Sequence, residues 1–286
     1  MANKFEMSMT GKMNFFLGLQ IEQKEEGISI CQSKYITELL TKYEFTNCKI
    51  AKTPMSKAIK IFEDPTGVSV NHTLYRGMIG SLLYLTASRP DIIFTTSMCA
   101  RFQANPKESH LSAVNHTPNL ALWYHRHSEL NLFGYTDADH AGCTIDRKST
   151  SGGCQFLGNR LISWSSKKQT SVACSTAEAE YVPAGRCCAQ ILWIQNQIID
   201  YGLKFTKTPI YCDNTSAIQI TQNPVHHSKT KHIEIRHHFI RDNAEKGKIS
   251  LHYIPTTEQL ADIFTKALDE HTTSYLITEL GMMNLE

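Results

Sequence analysis

Two blocks with different hydrophobic periodicities follow each other along the chain. In the first block, apolar and polar residues alternate over 15–23 and 27–31, which predicts two paired strands joined by a polar turn. Apolar residues then recur at helical spacing, which predicts helices at 33–43, 75–86, 91–103 and 108–114. The polar stretch 46–71 contains two prolines and is expected to be an exposed connection. The first block is therefore expected to be an α+β region.

The second block alternates strands with helices. Its strands are predicted at 130–136, 152–157, 161–165, 209–212 and 249–254, and its helices at 176–201, 216–222, 233–246 and 258–268. Thr176 can cap the first of these helices and Gly202 can close it. This order predicts an α/β domain with a mixed five-stranded sheet and flanking helices. Trp164, on a central strand, and Trp193 are predicted to be buried core rather than base-stacking platforms.

Composition narrows the class of protein. Apolar residues make up 41% and charged residues 20%, which is typical of a soluble globular protein. No run approaches the roughly 18–20 apolar residues that a membrane helix needs, and the first residues do not resemble a secretory signal. Nine cysteines without C-x-x-C spacing are typical of free thiols in a reducing compartment. We therefore expect an intracellular protein, cytoplasmic or nuclear, with no membrane partner.

Four acidic residues stand at element ends or on helices beside the predicted sheet: Asp137, Glu180, Asp213 and Asp262. Carboxylates gathered at such a place repel one another and are expensive to desolvate, and a hard divalent cation removes that penalty. Two such ions can activate water and stabilise the leaving oxygen of a phosphodiester. The spacing alone leaves other interpretations open, because Asp213 could cap the next helix and Asp262 could be ordinary first-turn charge.

Two groups of basic residues are candidates for contact with nucleic acid. Since the net charge is only +2, such binding must depend on local patches. Arg147, Lys148, Ser149, Lys167 and Lys168 mix cations with small hydroxyl groups, which can contact phosphate and the RNA 2′-OH, or can be two solvated turns. The second group lies in the histidine-rich segment 226–241 and comprises Lys229, Lys231, Arg236 and Arg241. Phosphate contact is favoured there over zinc, because the segment has no cysteine and its spacing fits no familiar zinc pattern.

Long strings of the second block resemble one known family. GYTDADHAG, DRKSTSGGCQFLG, ISWSSKKQTSVACSTAEAEY, IYCDNTSAI, NPVHHSKTKHIEIRHHFIRD and IPTTEQLADIFTK are similar, in this order, to the ribonuclease H domain of copia-type retrotransposon Pol polyproteins. FFLGLQI, CQSKYITELLTKY, TPMS and LYRGMIGSLLYLTASRPDI resemble the post-palm, thumb- or connection-like part of the reverse transcriptase in the same polyproteins. The resemblance implies a reverse-transcriptase remnant at 1–129, a ribonuclease H-like domain at 130–270 and a C-terminal tail at 271–286.

The resemblance also implies a chemistry. It implies a hydrolase that cuts the RNA strand of RNA–DNA hybrids with two Mg²⁺ ions, Mn²⁺ being the alternative, and other polyprotein parts as partners. Its catalytic and metal-binding acids match Asp137, Glu180, Asp213 and Asp262. Glu180 is preferred to Glu178 because the family's acid is followed by a bulky residue. Asp139 competes with Asp137, since strand alternation puts both on one face.

Several features depart from the family pattern. No Y-x-D-D motif occurs, so the chain is expected to begin downstream of the palm and to lack polymerase activity. Residues 115–118 follow a helix that is about two turns shorter than in the family, which indicates a deletion. Pro183 follows Glu180 by three residues, and a proline inside a helix costs about 3 kcal/mol; Gly185 adds a smaller penalty. These departures favour the rival hypothesis of an inactive relic that still binds nucleic acid or polyprotein partners. An integrase core is disfavoured by the reverse-transcriptase strings.

Overall fold

The computed structural model of the protein describes residues 11–45, 53–55, 61–112, 120–222 and 234–284. In this part of the chain the strands are β1 Phe15–Phe16, β2 Leu19–Gln23, β3 Gly27–Cys31, β4 Leu120–His125, β5 Leu132–Ala138, β6 Thr150–Leu157, β7 Arg160–Lys168, β8 Thr208–Cys212, β9 Ile249–Tyr253 and β10 Met282–Asn284. The α-helices are α1 Ser33–Lys42, α2 His72–Leu85, α3 Ile93–Ala100, α4 Glu108–Ser112, α5 Thr176–Ile199, α6 Thr215–Gln222, α7 Glu234–Glu245 and α8 Glu270–Glu279. The apparent deletion at 115–118 lies outside the described residues. None of the described helices is both long and apolar enough to cross a membrane.

The first sheet is antiparallel and has the strand order β1-β2-β3-β4-β10. Two of its strands, β4 and β10, were not predicted from the sequence. Strand β10 comes from the predicted C-terminal tail, and its residue Met282 pairs with Leu122 of β4. The division at 129 and 270 stays a prediction, but the end of the chain is part of the first sheet.

Helices of the first block pack around a buried ion pair. Arg89 and Asp91 are both 2% exposed, and the guanidinium donates to the two carboxylate oxygens over 2.8 and 2.7 Å. The predicted helix 91–103 begins here as a 3-10 turn, Pro90–Ile92, before α3 continues. A bidentate contact of this kind satisfies the charges that burial would otherwise penalise.

The second sheet is mixed, as predicted. Its strand order is β7-β6-β5-β8-β9, in which β5, β6 and β7 are antiparallel and β8 is parallel to both β5 and β9. Helix α5 packs across β5 and β6. Their close approach needs Gly134, because a Cβ there would lie 2.8 Å from Cys187 Sγ. The predicted α/β class with a five-stranded sheet and flanking helices is confirmed.

Both tryptophan predictions need correction. Strand β7, which carries Trp164, is at the edge of the sheet and not at its centre. Trp164 is only half-buried, and its Nε1 donates to Thr86 O over 2.9 Å, which joins β7 to the end of α2. Trp193 is 57% exposed on the outer face of α5, because the buried face is formed by Ile191 and Ile194.

The predicted helix 258–268 is wrong. Residues Thr256–Glu258 and Leu260–Phe264 form two 3-10 turns that are separated by Gln259 in an extended conformation. The buried Gln259 side chain donates to Thr136 O over 3.0 Å and accepts from Ala261 N over 3.2 Å. These bonds fasten the second turn to β5.

The turn Leu260–Phe264 lies directly on β6 at Gly152. A Cβ at Gly152 would come within 2.5 Å of Thr265 Cγ2 and 2.8 Å of Phe264 Cβ. Gly152 pairs with Asp137 on the neighbouring strand. The glycine therefore lets the turn seat beside the end of β5.

We expect Gly152→Ala to lower the free energy of unfolding by about 1–3 kcal/mol, because the added methyl group overpacks the contact between the turn and β6. The measurement is urea denaturation. The control is Gly153→Ala, whose Cβ would lie 3.3 Å from Tyr135 O and 4.0 Å from Gln155 Nε2 and should cost less. Equal losses in the two variants would show that the turn yields without strain.

Candidate active site

The four sequence-predicted acids meet at one edge of the second sheet. Strands β5 and β8 are parallel with Tyr135 paired to Tyr211, so Asp137 and Asp213 each lie two residues beyond this pair. Glu180 comes from the second turn of α5, and Asp262 comes from the turn Leu260–Phe264. Asp137, Glu180 and Asp262 are 1%, 6% and 8% exposed, and Asp213 is half-buried.

Burial and mutual repulsion raise the pKa values of these carboxyl groups. Burial, and then the charges of Asp137 and Asp213, raise the pKa of Glu180 to about 9. Burial and the charge of Asp137 raise the pKa of Asp262 to about 7. Burial also raises the pKa of Asp137 above its usual value. Without a cation, the site therefore retains protons at neutral pH.

Hydroxyl groups from the two 3-10 segments hold the acids in place. Thr265 Oγ1 donates to Asp137 Oδ2 and lies 3.2 Å from Asp262 O. Thr256 Oγ1 donates to Asp213 Oδ2 over 2.9 Å. By contrast, Glu180 Oε2 is buried and has no hydrogen-bond partner among the residues that the structure describes. The Glu180 carboxylate therefore has an unused acceptor inside the site.

A lysine that the sequence analysis did not single out completes the cluster. Lys266 Nζ lies 2.8 Å from Asp262 Oδ1 and 3.8 Å from Asp137 Oδ2. Its side chain is 37% exposed, so the ammonium group enters the site from the solvent side. The signal was present in the sequence, since residues four apart in one turn can pair, but it was weak beside the acidic motif.

The other acid at the start of α5, Glu178, makes hydrogen bonds that cap the helix. Glu178 Oε2 accepts from Cys174 N over 2.7 Å, and Glu178 N donates to Ser175 Oγ over 3.1 Å, so Glu178 belongs to the cap of α5. Ser175, not Thr176, is the capping residue. This geometry supports the choice of Glu180 over Glu178.

Hydrogen bonds also indicate the roles of Asp139 and Asp213. The Asp139 carboxylate accepts from Thr150 N, at the start of β6, and its pKa is raised to about 6 mainly by burial. Helix α6 is capped by Asn214, whose Oδ1 accepts from Ala217 N over 2.9 Å. Asp213 is therefore not needed as a helix cap, and it faces the other acids.

The donor atoms at this edge fit a hard divalent cation. Ligand atoms of Glu180, Cys212 and Asp213 all lie within 4.8 Å of one another. Burial raises the pKa of the Cys212 thiol, and a hard cation prefers oxygen to sulfur ligands, so the carboxylate oxygens are the favoured ligands. Oxygen ligands suit Mg²⁺ and Mn²⁺, and a cation would supply the missing partner of Glu180 Oε2.

Members of the first basic group, at 147–149 and 167–168, differ in their contacts and exposure. Asp146 Oδ2 lies 3.6 Å from Lys148 Nζ and 2.8 Å from Lys168 Nζ, so one carboxylate joins the two predicted segments. Arg147 and Lys167 are exposed. The predicted contact through the Ser149 side chain is wrong: Ser149 is fully buried, and its Oγ accepts from Ala141 N over 3.1 Å.

The second basic group is only partly described. Lys229 and Lys231 lie outside the described residues, and for Arg236 the structure gives only its place in α7. Arg241 is half-buried, and its Nε lies 3.5 Å from Thr221 O, so this side chain joins α7 to α6. Its role as a nucleic-acid contact stays a prediction.

Comparisons with known proteins cover nearly the whole chain. A family described as "Reverse transcriptase (RNA-dependent DNA polymerase)" matches residues 1–57. The retrovirus-related Pol polyprotein from transposon RE1 of Arabidopsis thaliana is 34% identical over 99% of this chain and 20% of its own length. The corresponding polyprotein from transposon TNT 1-94 of Nicotiana tabacum is 32% identical over 99% of this chain and 22% of its own length. An uncharacterized mitochondrial protein of Arabidopsis thaliana is 32% identical over 68% of this chain and 83% of its own length. This chain spans about a fifth of the two polyproteins.

Solved structures that are similar to about half of this chain include two described as ribonuclease H proteins. LC11-RNase H1, isolated from compost, covers 50% of this chain and 98% of its own, with a TM-score of 0.38 and 15% identity. The N-terminal RNase H domain of Rv2228c from Mycobacterium tuberculosis covers 52% of this chain and 98% of its own, with a TM-score of 0.36 and 10% identity.

We expect the metal-free protein to lose stability as pH rises from about 4 to about 9. An acid with a raised pKa binds its proton more tightly in the folded state, so folding is most favoured below the unfolded pKa of about 4.3 and weakens until Glu180 is ionised in both states. Thermal unfolding in a chelator measures this change. Glu180→Gln should flatten the upper part of the profile, and an unchanged slope in that variant would contradict the assignment.

Proposed function

The chain belongs to the family of retrovirus-related Pol polyproteins from copia-type transposons, and on this basis we propose that its second half is a ribonuclease H that cleaves the RNA strand of RNA–DNA hybrids. The observation that carries the proposal is the convergence of the four acids at one edge of the mixed sheet. Buried carboxyl groups in this number either retain protons or need a compensating charge when they ionise, and their arrangement suits phosphodiester hydrolysis. The acids are Asp137, Glu180, Asp213 and Asp262.

These acids would hold two Mg²⁺ ions, with Mn²⁺ as the alternative. Bound ions of this kind supply an activated water molecule and stabilise the departing 3′ oxygen. The protein's part is to orient the acids that would hold the ions. Thr265 contacts the Asp137 carboxylate and the Asp262 carbonyl group, so it fixes β5 against the turn that carries Asp262. Thr256 donates to the Asp213 carboxylate, so it fixes the residue that follows β8 against the first 3-10 turn.

The substrate would approach along β5, β6 and β7. Ala138 pairs with Ser151, and Ser151 pairs with Lys167. Two strand spacings, or about 10 Å, therefore separate the backbone next to Asp137 from that of Lys167. The exposed side chains of Arg147 and Lys167 can reach phosphates of a duplex whose scissile bond lies at the acids. Lys148 and Lys168 would contact phosphate only after their ammonium groups leave the Asp146 carboxylate.

The second candidate function is binding without catalysis. It is favoured by Pro183, which lies inside α5 close to Glu180. Other polyprotein segments are proposed partners in either case. Absence of polymerase activity and a cytoplasmic or nuclear location stay predictions from the sequence.

We expect the purified chain to cut the RNA strand of a labelled RNA–DNA hybrid in the presence of Mg²⁺. Asp213→Asn should reduce the rate more than ~100-fold, because loss of a metal ligand exceeds the 10–100-fold effect typical of groups that only support a ligand. Asp242→Asn is the control, since this carboxylate is exposed and pairs only with Lys246 over 2.7 Å in α7 among the described ion pairs.

A folded sample that does not cut would contradict the catalytic proposal. If that sample still binds the hybrid, with an affinity that falls as salt rises, the binding function is supported instead.

A further inference from the structure

Pro183 removes a hydrogen bond from the helix that carries Glu180. In an α-helix the N–H of residue 183 bonds the carbonyl oxygen of residue 179, and proline has no N–H. Pro183 and Ala179 are both buried, yet α5 runs without interruption to Ile199. A buried carbonyl oxygen without a donor is destabilising, so the continuous helix needs a replacement for the lost donor.

Gln169 supplies that donor. Its Nε2 donates to Ala179 O over 2.9 Å and to Ser151 Oγ over 3.0 Å, so both N–H bonds of the amide are used. Gln169 is 2% exposed, and its backbone N donates to Ser149 O over 2.8 Å, which continues the pairing of β7 with β6. Because a carbonyl oxygen only accepts, the amide must present its nitrogen to Ala179.

The two acceptors connect Gln169 to both sides of the acidic site. Ala179 immediately precedes Glu180, and Ser151 pairs with Ala138, which immediately follows Asp137. We infer that Gln169 is a positioning residue that replaces the helix hydrogen bond lost at Pro183 and so fixes Glu180 relative to Asp137. This inference rests on the proposed function for the role of Glu180. It also explains how a proline is tolerated beside a site acid.

The test is a double-mutant cycle of Gln169→Met and Pro183→Ala, read by thermal unfolding and by calorimetric binding of Mn²⁺. Methionine keeps the volume of the glutamine but has no donor. In the chain with Pro183, we expect Gln169→Met to lower the Tm and to weaken Mn²⁺ binding by about 10–100-fold, as for other groups that orient a metal ligand. With Pro183→Ala, residue 183 donates to Ala179 itself, and both effects should shrink.

The cycle isolates the bond of interest. The contact with Ser151 is lost in both backgrounds, so it cancels. Equal losses of Tm and of Mn²⁺ affinity with and without Pro183 would overturn the inference, since Gln169 would then act through Ser151 or its other contacts and not through Ala179 O.

Gly185→Ala is the matched control in the same helix. Its Cβ would be 3.8 Å from Ile240 Cδ1, an ordinary contact, so we expect a Tm higher by about 2–4 °C and an unchanged effect of Gln169→Met. Rescue of Gln169→Met by Gly185→Ala as strong as by Pro183→Ala would overturn the inference, because any gain in helix stability would then suffice.

Failure of the inference and failure of the proposed function are distinguishable. Coupling in Tm and Mn²⁺ binding without RNA cleavage would support the role of Gln169 and contradict the ribonuclease. Cleavage without such coupling would support the ribonuclease and overturn the role of Gln169.

Discussion

Electrostatic repulsion among buried carboxylates is the constraint on which the second half of this protein depends. The acids at the end of the mixed sheet are held together although charge and burial both oppose it, and the raised pKa values of Glu180 and Asp262 express that opposition. Lys266 relieves part of it from the solvent side. The free-energy cost of such a cluster must be offset by other contacts, among them the apolar packing of α5 against the sheet.

The surrounding elements fit that constraint closely. Gly152 leaves room for the turn that carries Asp262, and Gln259 fastens the same turn to β5. Thr265 then joins the turn to Asp137, so three separate contacts act on one short segment. Gln169 donates to Ala179 O, in the helix turn before Glu180. The acids are thus positioned by neutral groups, which do not add to the repulsion.

Strong periodicity allowed the sequence to predict the mixed sheet and α5, and the resemblance to copia-type ribonuclease H domains implied the four acids that meet at the site. Weaker features were missed for physical reasons. Strand β4 pairs only with strands far away in sequence, and β10 has three residues, so neither has a local pattern. The extended conformation of Gln259 arises from a tertiary contact, which periodicity does not register. The fully apolar stretch around Trp193 did not show which face of α5 is buried.

The pairing of β4 with β10 brings together one segment that precedes the second sheet in the sequence and one that follows it. The second block is therefore inserted between two adjacent strands of the first sheet. During synthesis, β4 emerges from the ribosome long before its partner, and its free edge stays unpaired until the whole intervening block has been made. The addition of β10 to the first sheet is consequently a late, long-range step in folding.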